Sequence, residues 1–241
     1  WPHEEHASGR PLRTSALYGR LGQAGACFGE KMGWERPNWF AAPGDEPVDR
    51  YTFGRQNWFD QVGREHEAVR GRVALFDQSS FSKFTLEGKD AEAALTWIAA
   101  NDVGIPEGRL TYTQMLNARG GIECDLTAAR VAADSYYIVT GTGFRTHDFA
   151  WIADNISSSL DATLTDVTDE IGVLSPWGPP PATCWPGPRT RTSRTRPYPL
   201  LPAAGSSWPA HPSGRLGSPM SASWGGSCIS PSNMGWPSTT P

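Results

Sequence analysis

The charged residues of this chain are confined almost entirely to one side of Ser175. All 25 acidic residues and 16 of the 21 basic residues lie up to that position, so the first part carries a formal charge of −9 and the rest +5. The last 66 residues hold 15 of the 21 prolines, and their charges are five arginines. Globular domains carry about 25% charged residues of both signs. The sequence therefore predicts a folded domain up to residue 175 and a different kind of segment at 176–241.

The folded part has the length of one ordinary domain with its own core. We expect residues 1–50 to form a leading segment with a first helix, and residues 51–175 to form the main domain. The tail at 176–241 is predicted to be unstructured, because each proline removes an amide donor and fixes φ. A disordered linker would explain the prolines and serines equally well, but five tryptophans are unusual in such a segment.

Composition also excludes several classes of partner. No apolar run approaches the 18 or so residues of a membrane span, so no membrane partner is expected. The acidic balance of the first part argues against nucleic acid. The four cysteines show no paired spacing, and two of them lie in the tail. Cys27 and Cys124 are therefore expected to be reduced thiols, which indicates a cytoplasmic protein, or a mitochondrial matrix protein in a eukaryote. The first residue is Trp1, so we expect an internal fragment of a longer protein.

Hydrophobic periodicity predicts an α+β fold with antiparallel sheets and flanking helices. A Gly-Gly turn at 120–121 separates two of the strand patterns, and an Ala-Asp-Ser turn at 133–135 follows, as in a meander. The segment 33–40 contains a proline among aromatic residues and is interpreted as a packed loop. The predicted helices are 14–25, 58–71, 91–100 and 144–156, and the predicted strands are 80–86, 110–116, 124–131, 136–140, 162–167 and 171–174. Helical spacing places Phe59 and Val62 on one side of the second helix and Trp97 among the apolar positions of the third.

Several motifs spread over residues 1–175 resemble the folate-binding aminomethyltransferase family, which has the glycine-cleavage T-protein fold. Those in the main domain are FDQSSF at 76–81, GKDAE at 88–92, NDV at 101–103, residues 112–117 and GGIECDL at 120–126. The leading segment narrows the match to the module that follows the flavin domain in dimethylglycine and sarcosine dehydrogenases. Its motifs are RPLRTS at 10–15, Gly25-Ala26 and GWER at 33–36.

The resemblance implies transfer of a one-carbon unit from a methylated amine to N5 of tetrahydrofolate. Folate and the methylated amine are thus the expected small-molecule partners, whereas the sequence does not indicate an oligomeric state. FAD would belong to the separate domain that precedes the module in the family, and this chain lacks the fingerprint of a dinucleotide site. We therefore expect the chain itself not to bind FAD.

The carboxylate that matches the family's site is Asp125, in GGIECDL. A carboxylate near N5 and N10 would hold the pterin and stabilise charge during transfer. The alternative interpretation of Asp125 is an aspartate on an edge strand that is exposed to water and has no functional role. By the same resemblance, the walls of the folate pocket would comprise Phe81, Tyr112, Val139 and Gly141. Ordinary packing in the core or in a turn is the alternative for each of these four residues.

The family continues with an MGPxxR segment and a YxGExGxE loop, neither of which follows Ser175 here. If the possible codons of this segment are read one base out of register, the sequence from Pro176 can spell MGPAARDVLA and the sequence from Pro219 can spell YVGELGWELHLP. These two strings resemble the two segments that the family has at these places. We therefore hypothesise a frameshift near Ser175 in the encoding sequence. The chain as printed is then expected to have little or no transferase activity. A non-catalytic remnant domain, or an interaction protein with a Pro/Arg-rich tail, are the alternatives.

Other clusters carry weaker signals. Neither HEEH at 3–6 nor EHE at 65–67 has the spacing of a known zinc site, so no metal is expected. GTG at 141–143 lacks the third glycine of a phosphate loop. His147 and Asp148 are interpreted as a polar pair on a helix face rather than as a catalytic dyad.

Overall fold

The structure, a computed structural model, describes residues 6–178. Helices and antiparallel strands alternate in this part of the chain, which confirms the predicted α+β class. In chain order the elements are α1 (Tyr18–Gln23), β1 (Ala26–Lys31), β2 (Trp34–Phe40), α2 (Phe59–Gly71), β3 (Ala74–Asp77), β4 (Ser82–Glu87), α3 (Ala91–Ile98), β5 (Leu110–Leu116), β6 (Ile122–Ala132), β7 (Ser135–Thr140), α4 (Arg145–Asn155), β8 (Thr163–Asp166) and β9 (Leu174–Trp177).

A five-stranded antiparallel sheet forms the centre of the domain, in the order β5-β6-β7-β4-β8. The meander predicted for β5, β6 and β7 is confirmed. Gly120 has a φ of +79° in the turn between β5 and β6, a conformation that glycine adopts without a steric penalty. At the end of β4, a Cβ on Gly88 would lie 2.2 Å from the carbonyl oxygen of Asp161, so the approach of β8 requires glycine there.

One face of this sheet is covered by helices α3 and α4. Side chains alternate across a strand, so every second residue of β4, β6 and β7 points to this face. Phe84, Leu126 and Ile138 are buried there, together with Leu95 of α3 and Ile152 of α4. This apolar contact places the larger hydrophobic core between the helices and the sheet. On the opposite face a smaller buried cluster, formed by Ala129, Tyr137 and Val167, covers part of the sheet and leaves the remainder for a site.

The interpretation of residues 33–40 as a loop is wrong, because Trp34–Phe40 forms strand β2 and pairs with β1. Strand β1 was not predicted either. Pro37 lies opposite Phe28, beside a register shift between Cys27 and Phe28. A proline is tolerated in a short two-stranded sheet with free edges, because its missing donor need not leave a gap in a central ladder.

Strand β3 is a third element that the sequence pattern did not predict. It pairs with β9, and the predicted strand at 171–174 lies instead at Leu174–Trp177. The strand therefore includes Pro176 and Trp177, two residues beyond the expected domain end. Most of the predicted tail, 179–241, lies outside the described residues, and the domain boundaries stay a prediction.

The helices α2, α3 and α4 occur where they were predicted, but their apolar faces differ from expectation. No residue of α2 is buried, including the expected inward residues Phe59 and Val62. Trp97 was expected among the apolar positions of α3, yet 81% of its surface is exposed. Among the helices of residues 6–178, none combines the length and the apolar character that a membrane crossing needs.

Candidate functional site

A cavity of about 620 Å³ lies on the sheet face that α3 and α4 do not cover. The walls come mainly from β5, β6 and β7, with contributions from the segments before β4 and after β7 and from the end of β9. All five residues proposed from the resemblance line this one cavity, namely Phe81, Tyr112, Asp125, Val139 and Gly141. Residues separated by up to 60 positions in the chain thus meet at one site.

Strand register explains why these side chains share a face. Tyr112 of β5 pairs with Thr127 of β6, which pairs with Val139 of β7, so the three residues lie in one row across the sheet. Asp125 precedes Thr127 by two positions and Gly141 follows Val139 by two, and a two-residue step returns to the same face. The sheet therefore presents a row of wall residues with the carboxylate beside it.

Asp125 lies at the solvent-exposed part of the cavity. A hydrogen bond to the Asp125 carboxylate raises the pKa of the Tyr112 phenol above its ordinary value, because the acceptor stabilises the protonated phenol. Gln114 lies directly opposite Asp125 in the neighbouring strand. A carboxylate with an adjacent phenol can accept a hydrogen bond from a ligand, hold a positive charge, or take up a proton.

The remaining proposed residues form apolar walls. Phe81 is half-buried just before β4, and Val139 is half-buried on β7. At Gly141 a Cβ would meet the ring of Phe144 at 3.3 Å, so glycine keeps space for that ring at the cavity wall. Flat apolar walls with a few convergent polar groups are typical of sites for small ring-containing molecules.

Tyr137 also lines the cavity, although sequence reasoning did not select it. Its side chain is buried, and its hydroxyl has no hydrogen-bond partner among the described residues. Burial raises the pKa of this phenol. Tyr137 precedes Val139 by two positions on the same strand, and this spacing was the sequence signal that could have identified it.

The cavity is acidic. Glu123, Asp125 and Asp148 contribute carboxylates to its walls, and among the described residues that line it there is no lysine or arginine. Such a site favours ligands that present hydrogen-bond donors or a positive charge.

At the edge of the cavity, His147 and Asp148 form a polar pair at the start of α4, in which His147 is exposed and Asp148 is buried. Its carboxylate accepts a hydrogen bond from the Thr140 hydroxyl and lies 2.9 Å from Nδ1 of His147. The hydrogen bond to Asp148 raises the pKa of His147, with a further contribution from Glu123. Nε2 of His147 lies 3.6 Å from Oε2 of Glu123.

The other motifs considered in the sequence lie elsewhere. The GTG segment at 141–143 leads into a single 3-10 turn, Thr142–Phe144, after β7. Glu65 accepts a hydrogen bond from the Phe40 amide at 3.1 Å, so it joins α2 to β2. Of the HEEH motif at 3–6, only His6 belongs to the described residues.

Residues 17–183 match the family described as the GCVT N-terminal domain. The chain belongs to this family. Among solved structures, it is similar to the glycine cleavage system aminomethyltransferase T from Bartonella henselae, with 27% identity and a TM-score of 0.57 over 70% of this chain and 41% of that one. The resemblance drawn from the motifs is thereby confirmed at the level of family and fold.

Two curated relatives are larger proteins. The chain is 39% identical to the 4-methylaminobutanoate oxidase (formaldehyde-forming) of Paenarthrobacter nicotinovorans, over 74% of this chain and 22% of the relative. It is 37% identical to the human mitochondrial dimethylglycine dehydrogenase, over 74% of this chain and 21% of the relative. The chain thus spans about a fifth of the length of these relatives.

Proposed function

We propose that this domain contributes the folate-binding cavity of an aminomethyltransferase module, which passes a one-carbon unit from a methylated amine to tetrahydrofolate. One observation carries the proposal: the five residues inferred from motif resemblance line a single cavity on the sheet face. Membership in the GCVT N-terminal domain family supports the same substrate class.

The residues present fit a folate. The cavity volume of about 620 Å³ lies within the range of about 300–1,000 Å³ typical of small-molecule sites. Phe81, Val139 and Tyr112 offer flat or apolar surface against which a pterin ring can pack. The amino and ring N–H groups of a pterin are donors, and they suit the carboxylate acceptors of an acidic cavity. The unpartnered hydroxyl of Tyr137 is a further polar group that a ligand or a water could satisfy.

Asp125 has the central role in this proposal. Tetrahydrofolate, when bound, supplies the nitrogen nucleophile that takes the one-carbon unit. Asp125 holds the donor edge of the ring and provides negative charge where the methylated amine carries positive charge. Tyr112 orients the Asp125 carboxylate through their hydrogen bond, and the apolar walls exclude water from the reacting groups. Oxidation of the methylated amine belongs, in this proposal, to a separate flavin-containing domain.

Folate affinity tests the proposal. The full chain is titrated calorimetrically with 5-formyltetrahydrofolate, a stable derivative. We expect Asp125→Asn to weaken binding tenfold or more, because losing a hydrogen bond to a charged group costs about 1.5–3 kcal/mol. Asp134→Asn is the matched control, since Asp134 is exposed in the turn between β6 and β7 and should leave the affinity unchanged. A folded chain that binds no folate, or equal losses in both variants, would overturn the proposal.

A further inference from the structure

Three side chains that can bind a metal ion meet at the back of the cavity wall. Cys124 lies on β6, and His147 and Asp148 lie at the start of α4. One ligand atom from each lies within 4.8 Å of the other two. We propose that Cys124, His147 and Asp148 form a binding site for a divalent transition metal of the zinc class.

The donor set selects the kind of metal. A thiolate, an imidazole and a carboxylate together suit Zn²⁺ or Co²⁺, whereas Mg²⁺ and Ca²⁺ take oxygen ligands. Ligand atoms around a tetrahedral zinc are about 3.3–3.7 Å apart, given bond lengths of about 2.0–2.3 Å. Nδ1 of His147 and Oδ1 of Asp148 are 2.9 Å apart, and no pair of ligand atoms exceeds 4.8 Å. Side-chain movements of about 1 Å therefore complete the geometry.

The neighbouring side chains match the outer shell of a metal site. A histidine that ligates a metal usually donates its other N–H group to a carboxylate or a carbonyl. If Nδ1 of His147 binds the metal, Nε2 points to Glu123, whose Oε2 is 3.6 Å away. Thr140 donates a hydrogen bond to Oδ2 of Asp148, and this bond fixes the carboxylate. Glu123 and Thr140 thus orient two of the three ligands.

The burial of the cluster favours a built site over a chance contact between surface groups. Cys124 and Asp148 are each 1% exposed, while His147 lies at the surface and gives solvent access. Three protein ligands leave one coordination position open, as in catalytic zinc sites. Asp148 also lines the cavity, so the open position adjoins it.

Binding follows simple chemistry. The Cys124 S–H bond breaks, a sulfur–metal bond forms, and the released proton leaves to solvent. The metal takes the position between Nδ1 of His147 and Asp148 that a proton occupies otherwise. That proton leaves to solvent from a charged ring or is exchanged to Nε2 in a neutral ring, so that Nε2–H faces Glu123 in the metal-bound state. The absence of metal spacing in the sequence follows from this arrangement, because Cys124 on β6 and the pair on α4 are brought together only by the fold.

Cobalt titration tests the site, because a thiolate bound to Co²⁺ gives a charge-transfer absorption band. The probe is CoCl₂, added to the full chain after treatment with a chelator. The starting variant is Cys27→Ser/Cys184→Ser/Cys228→Ser, which keeps Cys124 as its sole thiol. We expect this variant to develop the band at one equivalent of Co²⁺, and addition of Cys124→Ser to abolish it.

His147→Gln supplies a second measurement that does not depend on replacing a buried residue. We expect it to weaken Co²⁺ binding tenfold or more while the circular dichroism spectrum stays unchanged. His66→Gln is the matched control, because His66 is exposed on α2. Lack of a band in the single-thiol variant, or equal affinity of the His147→Gln and His66→Gln variants, would overturn the proposed site.

Discussion

Lys83 lies on β4 with its side chain fully buried. Its ammonium group donates hydrogen bonds to the carbonyl oxygens of Ser79 at 2.7 Å and of Ile171 at 2.6 Å. Burial lowers the pKa of Lys83 to about 8, although the carboxylates of Asp169 and Asp77 act in the opposite direction. The backbone acceptors thus hold the charged ammonium group, while burial makes it easier to deprotonate than a lysine in water.

This pKa predicts a stability that rises with pH. Below pH 8 both the folded and the unfolded chain hold the Lys83 proton, so the residue adds no pH dependence. Above pH 8 the folded state releases the proton first, while an unfolded lysine keeps it to about pH 10.4, so the unfolded state binds more protons. The free energy of unfolding should then increase by about 1.5 kcal/mol between pH 8 and 9.5.

Urea unfolding of the wild type and of Lys83→Met measures this contribution. The difference between the two proteins removes titrations that they share, such as those of the tyrosines and cysteines. We expect the wild type to gain stability relative to Lys83→Met as the pH rises from 8 to 9.5. Parallel pH profiles for the two proteins would show that Lys83 titrates normally.

Helix α2 differs from the other long helices in its packing. It has no buried residue, and β2 is its main contact, whereas α3 buries four residues against the central sheet. Helices in proteins obtain most of their stability from packing one face against the core. Helix α2 should therefore open locally far more often than α3.

Hydrogen exchange measures this difference directly. We expect the amides within Phe59–Gly71 to exchange at least about 100-fold faster than those of Ala91–Ile98, since a difference of about 2.7 kcal/mol in opening free energy gives that factor. The residues of β6 and β7 serve as the slow reference in the same experiment. Equal protection of α2 and α3 would mean that α2 packs more firmly than its burial indicates.

The elements that sequence reasoning identified are those whose signals are local. The meander of β5, β6 and β7 has strand patterns separated by short turns, and α3 has a clear apolar repeat. Strand β3 was missed because its partner is β9, about 100 residues further along the chain. A short strand defined by such a distant partner has no local signal. Strand β2 was missed because Pro37 indicated a loop, although a two-stranded sheet tolerates it.

The candidate site shows the same division between local and distant information. The resemblance predicted Asp125 and four wall residues, and strand register places Tyr112, Asp125 and Val139 on one sheet face at the cavity. Tyr137 could have been found from its alternation with Val139. The approach of Cys124 to His147 could not be predicted, because it depends on how α4 crosses the sheet.

In the domain as a whole, the two faces of the central sheet differ in what covers them. One face buries the larger set of apolar side chains under α3 and α4, and the other carries a smaller buried cluster beside the acidic cavity. The chain spans about a fifth of the length of its dehydrogenase and oxidase relatives, so this division describes one module of such proteins. The larger core and the proposed ligand site therefore lie on opposite faces of the sheet, so substitutions at the exposed residues Tyr112 and Asp125 need not disturb that core.

The central claim is that folate occupies the cavity face of the sheet, and an NMR titration tests it most directly. The full chain, labelled with ¹⁵N, is titrated with 5-formyltetrahydrofolate while its amide resonances are followed. We expect the largest shifts at Tyr112, Asp125, Val139 and Gly141, with Thr96 on the outer side of α3 unaffected. Shifts confined to the helical side, or a spectrum that folate leaves unchanged, would contradict the account.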